Sequence, residues 1–363
     1  MSLLKSNDSR ERIKQIEFIV FIVYLLLMII GFFSVKSATL NTPRESIVLK
    51  QLIFSSIGLI LYFFMVFLPE RTLKTLIPWV FYFFIFLLGF VLIKGNVIYG
   101  AKRWISVGPF SLQPSEFYKV IEILFLSYAL SSKTNKSYYI VSLLILFSSI
   151  LIFKEPDLGT TLIVLSLWFI ITFISGKHER LWKITFFSGL TISPFSLLFM
   201  KSYQLARITG FLNPNKNASG ISYNTVQSMR AIGSGGLFGN GYMNGYMNLG
   251  NYVPEDHSDF IISVIGEELG FIGIFIVILL YSLLIWRMYI GYKKSNDDFW
   301  KYFYILSAFL IFFHVFENIG MNMGIMPVTG IPLPFLTAGG SPMLSFSILL
   351  GIATKGLMIN KNT

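Results

Sequence analysis

The sequence predicts an all-α integral membrane protein: a bundle of about ten transmembrane helices with a large extracytoplasmic loop and a re-entrant Pro/Gly-rich segment. Three observations predict it. Of 363 residues, 54% are hydrophobic and 13% charged, with a mean hydropathy of +0.68. The apolar residues gather into runs near the ~20 residues that cross a bilayer as a helix. One connection, residues 201–258, is much longer than the rest and rich in Gly, Asn, Tyr and Met.

In chain order the helices are expected near residues 17–36, 49–68, 75–94, 116–132, 138–153, 158–176, 183–200, 260–288, 302–325 and 340–357. The charged start "MSLLKSNDSRERIKQIEF" leads straight into the first run. A signal peptide has a shorter apolar core and a small-residue cleavage site, so this reads as a retained span. An even number of spans puts both termini on one side. The short connections on that side carry "ERTLK", "SSKTNKS", "GKHERLWK" and "RMYIGYKKSNDDFWK", and the positive-inside rule makes them cytoplasmic. Residues 1–363 then form a single polytopic membrane domain, with 201–258 as the extracytoplasmic loop, expected without regular structure of its own. A loop of that length and composition is functional rather than disordered. In "ENIGMNMGIMPVTGIPLPFLTAGGSPM", residues 317–343, prolines and glycines break any helix. Broken backbone at membrane depth needs protein or a watery cavity around it, which gives the re-entrant reading.

Composition also excludes chemistries. Without cysteine there is neither disulfide nor thiolate nucleophile. His178, His257 and His314 lie far apart, with no zinc-type spacing. The net charge of +11 suits anionic lipid or an anionic substrate. Nucleic acid is not expected, because the basic residues are scattered among the spans. Lys102, Arg103, Lys119, Arg207 and Arg230 fall on or near the extracytoplasmic side, against the topology rule, and an anionic ligand there would explain them.

Five stretches could carry chemistry. In "YGAKRWISVGPFSLQPSEFYKVIE", Pro114 suits a first helical turn, and Glu116, Lys119 and Glu122 then recur every three residues. Such a stripe either braces the bundle as an ion pair or walls a polar pocket, with Lys102, Arg103 and Lys119 attracting phosphate. In "KEPDLGTT", Asp157 reads as a helix cap. "GSGGLFGNG" lacks the ending of a P-loop and does not fit GxGxxG, so a nucleotide site is not expected. In "VPEDHSDFIISVIGEELGFIG", Ser258 or Asp259 is a natural N-cap for the helix that follows. On helical geometry Glu267 and Glu268 lie about two turns deeper and on other faces, so these acids do not share one site. The Pro/Gly-rich segment, with Asn318, Pro332 and Pro334, is the fifth and would line the pocket.

Taken in order, "GAKRWI…QPSE..K", "PDLGT", "FLNP", "QS..AIGSGGLFG.G", "PE.HSDF…IGEELGFIG" and "NIGM..G..PVTGIPLPF" closely resemble the SEDS proteins, the shape, elongation, division and sporulation family of bacterial peptidoglycan glycosyltransferases. The glycine-rich form looks more like the elongation (RodA) branch than the division (FtsW) branch. The resemblance implies a bundle of ten transmembrane helices in the bacterial cytoplasmic membrane with its active site facing outward. It implies polymerisation of lipid II, a disaccharide-pentapeptide on undecaprenyl pyrophosphate, beside a class B penicillin-binding protein and other elongation or division proteins. The family's essential aspartate maps to Asp259, expected as the base. Lys119, Arg103, Lys102, Glu116, Arg207, Arg230, Gln227, Ser234, Gly235, His257 and Glu255 are the expected substrate contacts. Asp157, Glu267, Glu268, Asn318, Pro332 and Pro334 are expected to shape the pocket. No cofactor is required, although a divalent cation (Mg or Mn) on Asp259 or Glu116 would share the leaving-group charge. Two positions depart from the family: Asp256 stands where Arg is common, and "TAGGSP", residues 337–342, where Ser-Tyr-Gly-Gly-Ser-Ser is common. These leave a lipid II flippase or other transporter, or a weakly catalytic scaffold for the transpeptidase, as the alternatives.

Overall fold

The structure, a computed structural model, describes residues 17–40, 42, 46–98, 101–108, 110–131, 135–196, 202–212 and 222–361. Ten long helices fall on the ten expected runs: α1 (Phe18–Ala38), α2 (Ser46–Phe67), α3 (Glu70–Lys94), α4 (Pro114–Ser131), α5 (Asn135–Lys154), α6 (Leu158–Ser175), α7 (Glu179–Ser196), α11 (Ile261–Lys294), α12 (Asp298–Asn322) and α13 (Gly340–Lys361). Seven of them, α1–α3, α6 and α11–α13, are long and apolar enough to cross a membrane. Of the others, α4 and α7 carry three charged residues each, and α5 is apolar over its Tyr138–Lys154 part.

Helix α4 is the axis of the bundle. Nearly every residue of it is buried, and it touches α3, α5, α6, α12 and α13. By contrast α3 turns Trp79, Phe86 and Ile93 outward, an apolar surface suited to acyl chains. The long partner of α13 is α2. Two hydroxyl pairs lock the first helices onto α13, Tyr24 with Ser347 at 2.7 Å and Tyr62 with Thr354 at 2.8 Å.

Three features depart from the expected all-helical plan. Residues 96–112 form a three-stranded antiparallel sheet of β1 (Asn96–Ile98), β2 (Ala101–Val107) and β3 (Phe110–Leu112). Ile105 pairs with Leu112 and Val107 with Phe110, and Gly108, at φ +60°, supplies the left-handed residue of the turn. The 201–258 connection is not irregular throughout. It contains α8 (Ser202–Leu212), α9 (Tyr223–Ser234) and the short α10 (Tyr246–Leu249), and α9 lies along α11. Most of "FLNPNKNASG" lies outside the described residues.

The third departure is a break in α11 at Gly270 (φ 66°, ψ −163°). Backbone groups freed there need partners, because an unpaired peptide group in an apolar medium costs several kcal/mol. The glycine-rich loop supplies them. Asn240 and Gly241 donate to the carbonyls of Glu267 and Glu268 at 2.9 and 3.0 Å, while Phe271 and Ile272 donate to Gly236 and Leu237 at 2.9 and 3.2 Å. Such contact requires glycine: a Cβ on Gly239 would sit 2.1 Å from the carbonyl oxygen of Glu268. The "GSGGLFGNG" string is therefore a splint for a broken helix.

Past α12 the chain runs without regular structure from Met323 to Gly339, with Ile331 and Leu333 buried. This is the predicted break at the Pro/Gly-rich segment. It brings residues 328–332 against α12, α8 and the 253–260 turn.

Candidate functional site

The turn before α11 carries the central acid. Ser258 and Phe260 both donate backbone N–H groups to the carbonyl of Glu255 (3.1 and 3.2 Å), and Glu255 takes up a left-handed φ of 57° to allow it. The helix starts at Ile261 after Phe260, and no side chain caps it. The N-cap expected of Ser258 or Asp259 is therefore absent: the turn closes one residue further on, and the Asp259 carboxylate is left for other work. Its backbone is held instead. Asn318 and Asn322, one turn apart on α12, each donate to the Asp259 carbonyl at 3.1 Å.

Asp259 keeps part of its surface exposed although protein crowds it on most sides. Burial raises its pKa above the usual carboxylate value, and the charge of Glu255 adds to this; Arg207, Arg103 and His257 pull the other way. Arg207, from α8, donates to the carbonyls of Val328 and Thr329 at 3.2 and 3.4 Å. It also edges a cavity of about 90 Å³ lined by Phe211, Met229, Met326 and Val328. Arg103, from β2, pairs with Asp157 at 3.3 Å. Asp157 caps α6 as expected, accepting from Thr160 N at 3.0 Å, and also accepts from Gln113 at 2.8 Å. Beside it, Glu155 is fully buried with both carboxylate oxygens lacking hydrogen-bond partners among the described residues. Burial and the neighbouring Asp157 raise its pKa to about 9, against the pull of Arg103.

His257 is flanked by carboxylates, with Nδ1 3.4 Å from Asp256 and Nε2 3.8 Å from Glu255. Its carbonyl accepts from Ala338 N at 2.9 Å, so the "TAGGSP" departure is where the chain grips the 255–260 turn. Asp256, the other departure, is buried and accepts from the backbone N–H of His257 at 2.8 Å. Both departures thus touch this turn without altering Asp259.

Several expected contacts lie elsewhere. Lys119 is 1% exposed, paired with Glu116 at 2.9 Å and 3.1 Å from Nε2 of His314. Since Nδ1 of that ring must donate to the carbonyl of Pro332 (2.9 Å), Nε2 accepts from the lysine. The enclosed ammonium presents no surface to a phosphate, because its charge is already answered inside the bundle; Lys119 and Glu116 brace α4 beneath the Pro/Gly-rich segment. Lys102 turns back to the carbonyl of Ile93 at 2.7 Å. Arg230 and Ser234 are exposed on α9, and Gly235 packs where a Cβ would meet the carbonyl oxygen of Gly266 at 2.0 Å. Gln227 is buried on α9.

The deeper acids organise the loop. Glu267 accepts from Met247 N and Asn248 N at 2.6 and 3.0 Å, at the start of α10. Glu268 accepts from Ser37 and, at 3.0 Å, from Asn248. Pro334 meets α11 at a different level, its carbonyl accepting from Tyr281. Among the described residues no group of three or more His, Cys, Asp or Glu side chains could hold a metal ion, and Asp259 and Glu116 belong to separate clusters.

Glu317, Thr329, His314 and Asn322 were not singled out from the sequence. Asn318 and Asn322, four apart in "ENIGMN", offered a signal, since an i, i+4 pair of amides shares one helix face.

Comparison with known proteins supplies the remaining observation. The model of the FtsW, RodA and SpoVE cell cycle protein family matches residues 13–361. Stage V sporulation protein E of Bacillus subtilis is 35% identical over 349 residues, covering 90% of this chain and 93% of that protein. Peptidoglycan glycosyltransferase MrdB of Escherichia coli is 34% identical over 316 residues, covering 85% of each. Among solved structures, a chain of a peptidoglycan synthase complex superposes with a TM-score of 0.81 at 27% identity, over 96% of this chain and 98% of that one. The rod shape determining protein RodA of Thermus thermophilus gives 0.70 at 26%, over 96% and 97%.

Proposed function

Because this chain belongs to the FtsW, RodA and SpoVE family of cell cycle proteins, we propose that it is a peptidoglycan glycosyltransferase of the bacterial cytoplasmic membrane, polymerising lipid II into glycan strands. Asp259 is the base, both termini are cytoplasmic, and the Asp259 end of the bundle faces outward. The observation that carries the mechanism is the uncapped start of α11, which leaves the Asp259 carboxylate off the helix end and in the field of Arg207, Arg103 and His257.

In this mechanism Asp259 takes the proton of the acceptor's 4-hydroxyl as the oxygen attacks the donor's anomeric carbon. The new C–O bond forms as the bond to the phosphate oxygen breaks. The lipid pyrophosphate departs with the electron pair, and the anomeric configuration inverts. Arg207 and Arg103 stabilise the charge that grows on the leaving group. The remaining expected contacts, His257 and Glu255, tune the acid rather than the phosphate, and no step is assigned to a metal ion. Relatives named as glycosyltransferases weigh against the transporter reading. A class B penicillin-binding protein is the proposed partner for crosslinking.

Fluorescent lipid II supplied to the detergent-purified chain tests the function, with and without the transpeptidase. Glycan ladders are expected, and a flippase cannot make them without a bilayer. Release of monomer alone defeats the proposal.

The electrostatics give a pH prediction. A base must be ionised, so the rate rises with pH through the Asp259 pKa, which Glu255 helps hold above its ordinary value. Glu255→Gln removes that repulsion, and the rising limb of the pH–rate profile is expected to move to lower pH. An unmoved limb in steady-state assays at several pH values contradicts the assignment.

A further inference from the structure

Glu317 is a buried acid at this site that the proposed mechanism leaves unused. It is 2% exposed and precedes Asn318, which donates to the carbonyls of Asp259 and Ile331 at 3.1 and 2.8 Å. One carboxylate oxygen accepts from the hydroxyl of Thr329. The other is buried with no hydrogen-bond partner among the described residues. The group interacts electrostatically with both Asp259 and Arg207. The residue it holds, Thr329, lies in the segment whose carbonyls accept from Arg207. Next in sequence, Gly330 stands so close that a Cβ there would lie 3.3 Å from the Asp259 carboxylate.

We propose that Glu317 is a positioning residue for glycosyl transfer, fixing the 328–330 segment through Thr329 and serving as the second counter-ion of Arg207. The proposal rests on Asp259 as the base. Before reaction Arg207 lies in the field of two carboxylates. When Asp259 takes the acceptor's proton, its negative charge disappears, and the loss of that repulsion favours the ionised form of Glu317. Arg207 then remains held between Glu317 and the departing pyrophosphate, with its orientation set before the charge develops. An interaction whose value grows as Asp259 is neutralised acts on the transition state, so it should show in kcat more than in KM.

Glu317→Gln separates tether from charge, since the amide oxygen still accepts from Thr329. Its kcat on lipid II is expected to fall about tenfold with KM within about twofold. In an Arg207→Lys background the same change should cost nothing further, because residues acting as a unit are not additive. A wild-type kcat for Glu317→Gln, or independent multiplication of the two effects, overturns the proposal. Should Glu317→Gln not be recovered as a folded monodisperse protein, Thr329→Val cuts the tether and leaves the charge. A fall in its kcat supports the proposal, and a wild-type kcat overturns it. Asp259→Asn distinguishes the two levels. Full activity there removes the base reading itself, whereas an inactive Asp259→Asn beside an indifferent Glu317→Gln removes only the inference about Glu317.

Discussion

Asp259→Asn is expected to lower lipid II polymerisation by about 10²–10⁴-fold, the range that a positioned general base supplies, while leaving the protein folded. The amide keeps the size of the carboxylate but cannot take the acceptor's proton. What anchors residue 259 is its backbone carbonyl, held by Asn318 and Asn322, and the substitution leaves that intact. Melting temperature and elution volume should therefore match the wild type. The competing explanation for an acid at this position is helix capping, whose loss costs about 1 kcal/mol. No side-chain cap exists at α11, so a stability loss without an activity loss is the outcome that contradicts the assignment. Gel analysis of glycan products, paired with thermal denaturation, reads both quantities from one preparation.

Why this acid was legible in the sequence, and Glu317 was not, follows from the physics of each. Apolar runs of near-bilayer length locate the ten long helices among the described residues, because crossing hydrocarbon imposes length and composition together. The break after Asn322 was legible from its prolines. The sheet at 96–112 was not: strands of three residues, β1 and β3, carry too few positions for alternation to register. Helices α8 to α10 were hidden by the Gly and Asn that suggest loops. The order of motifs pointed to Asp259, but whether it capped a helix depended on where the 255–260 turn closed. Glu317 meets the site only because the chain folds back after Met323 and lays Thr329 against it. Spacing along α12 carries no trace of that contact.

Lys119 shows the opposite limit, where spacing found the pair and could not decide its role. Lys119→Ala is expected to destabilise the protein by about 3–5 kcal/mol, the usual cost of leaving one member of a buried ion pair alone. Its ammonium is 1% exposed and lies 2.9 Å from Glu116 and 3.1 Å from His314. Removing it strands the Glu116 carboxylate inside the central helix and takes a donor from His314, whose other nitrogen holds Pro332. Damage should reach the Pro/Gly-rich segment by that route, so activity falls as a consequence of lost order. Replacing both partners with apolar residues of similar size, Lys119→Met with Glu116→Leu, should recover much of the lost stability, because an uncompensated buried charge is no longer present. Melting temperatures of the single and double variants, measured in the same detergent, decide between the two roles. If Lys119→Ala melts with the wild type yet makes no glycan, the ammonium must reach substrate in a rearranged state, and the phosphate role returns to it. If the single variant melts early and the double recovers, the stripe on α4 is a brace, and the cations that meet the leaving group are Arg207 and Arg103.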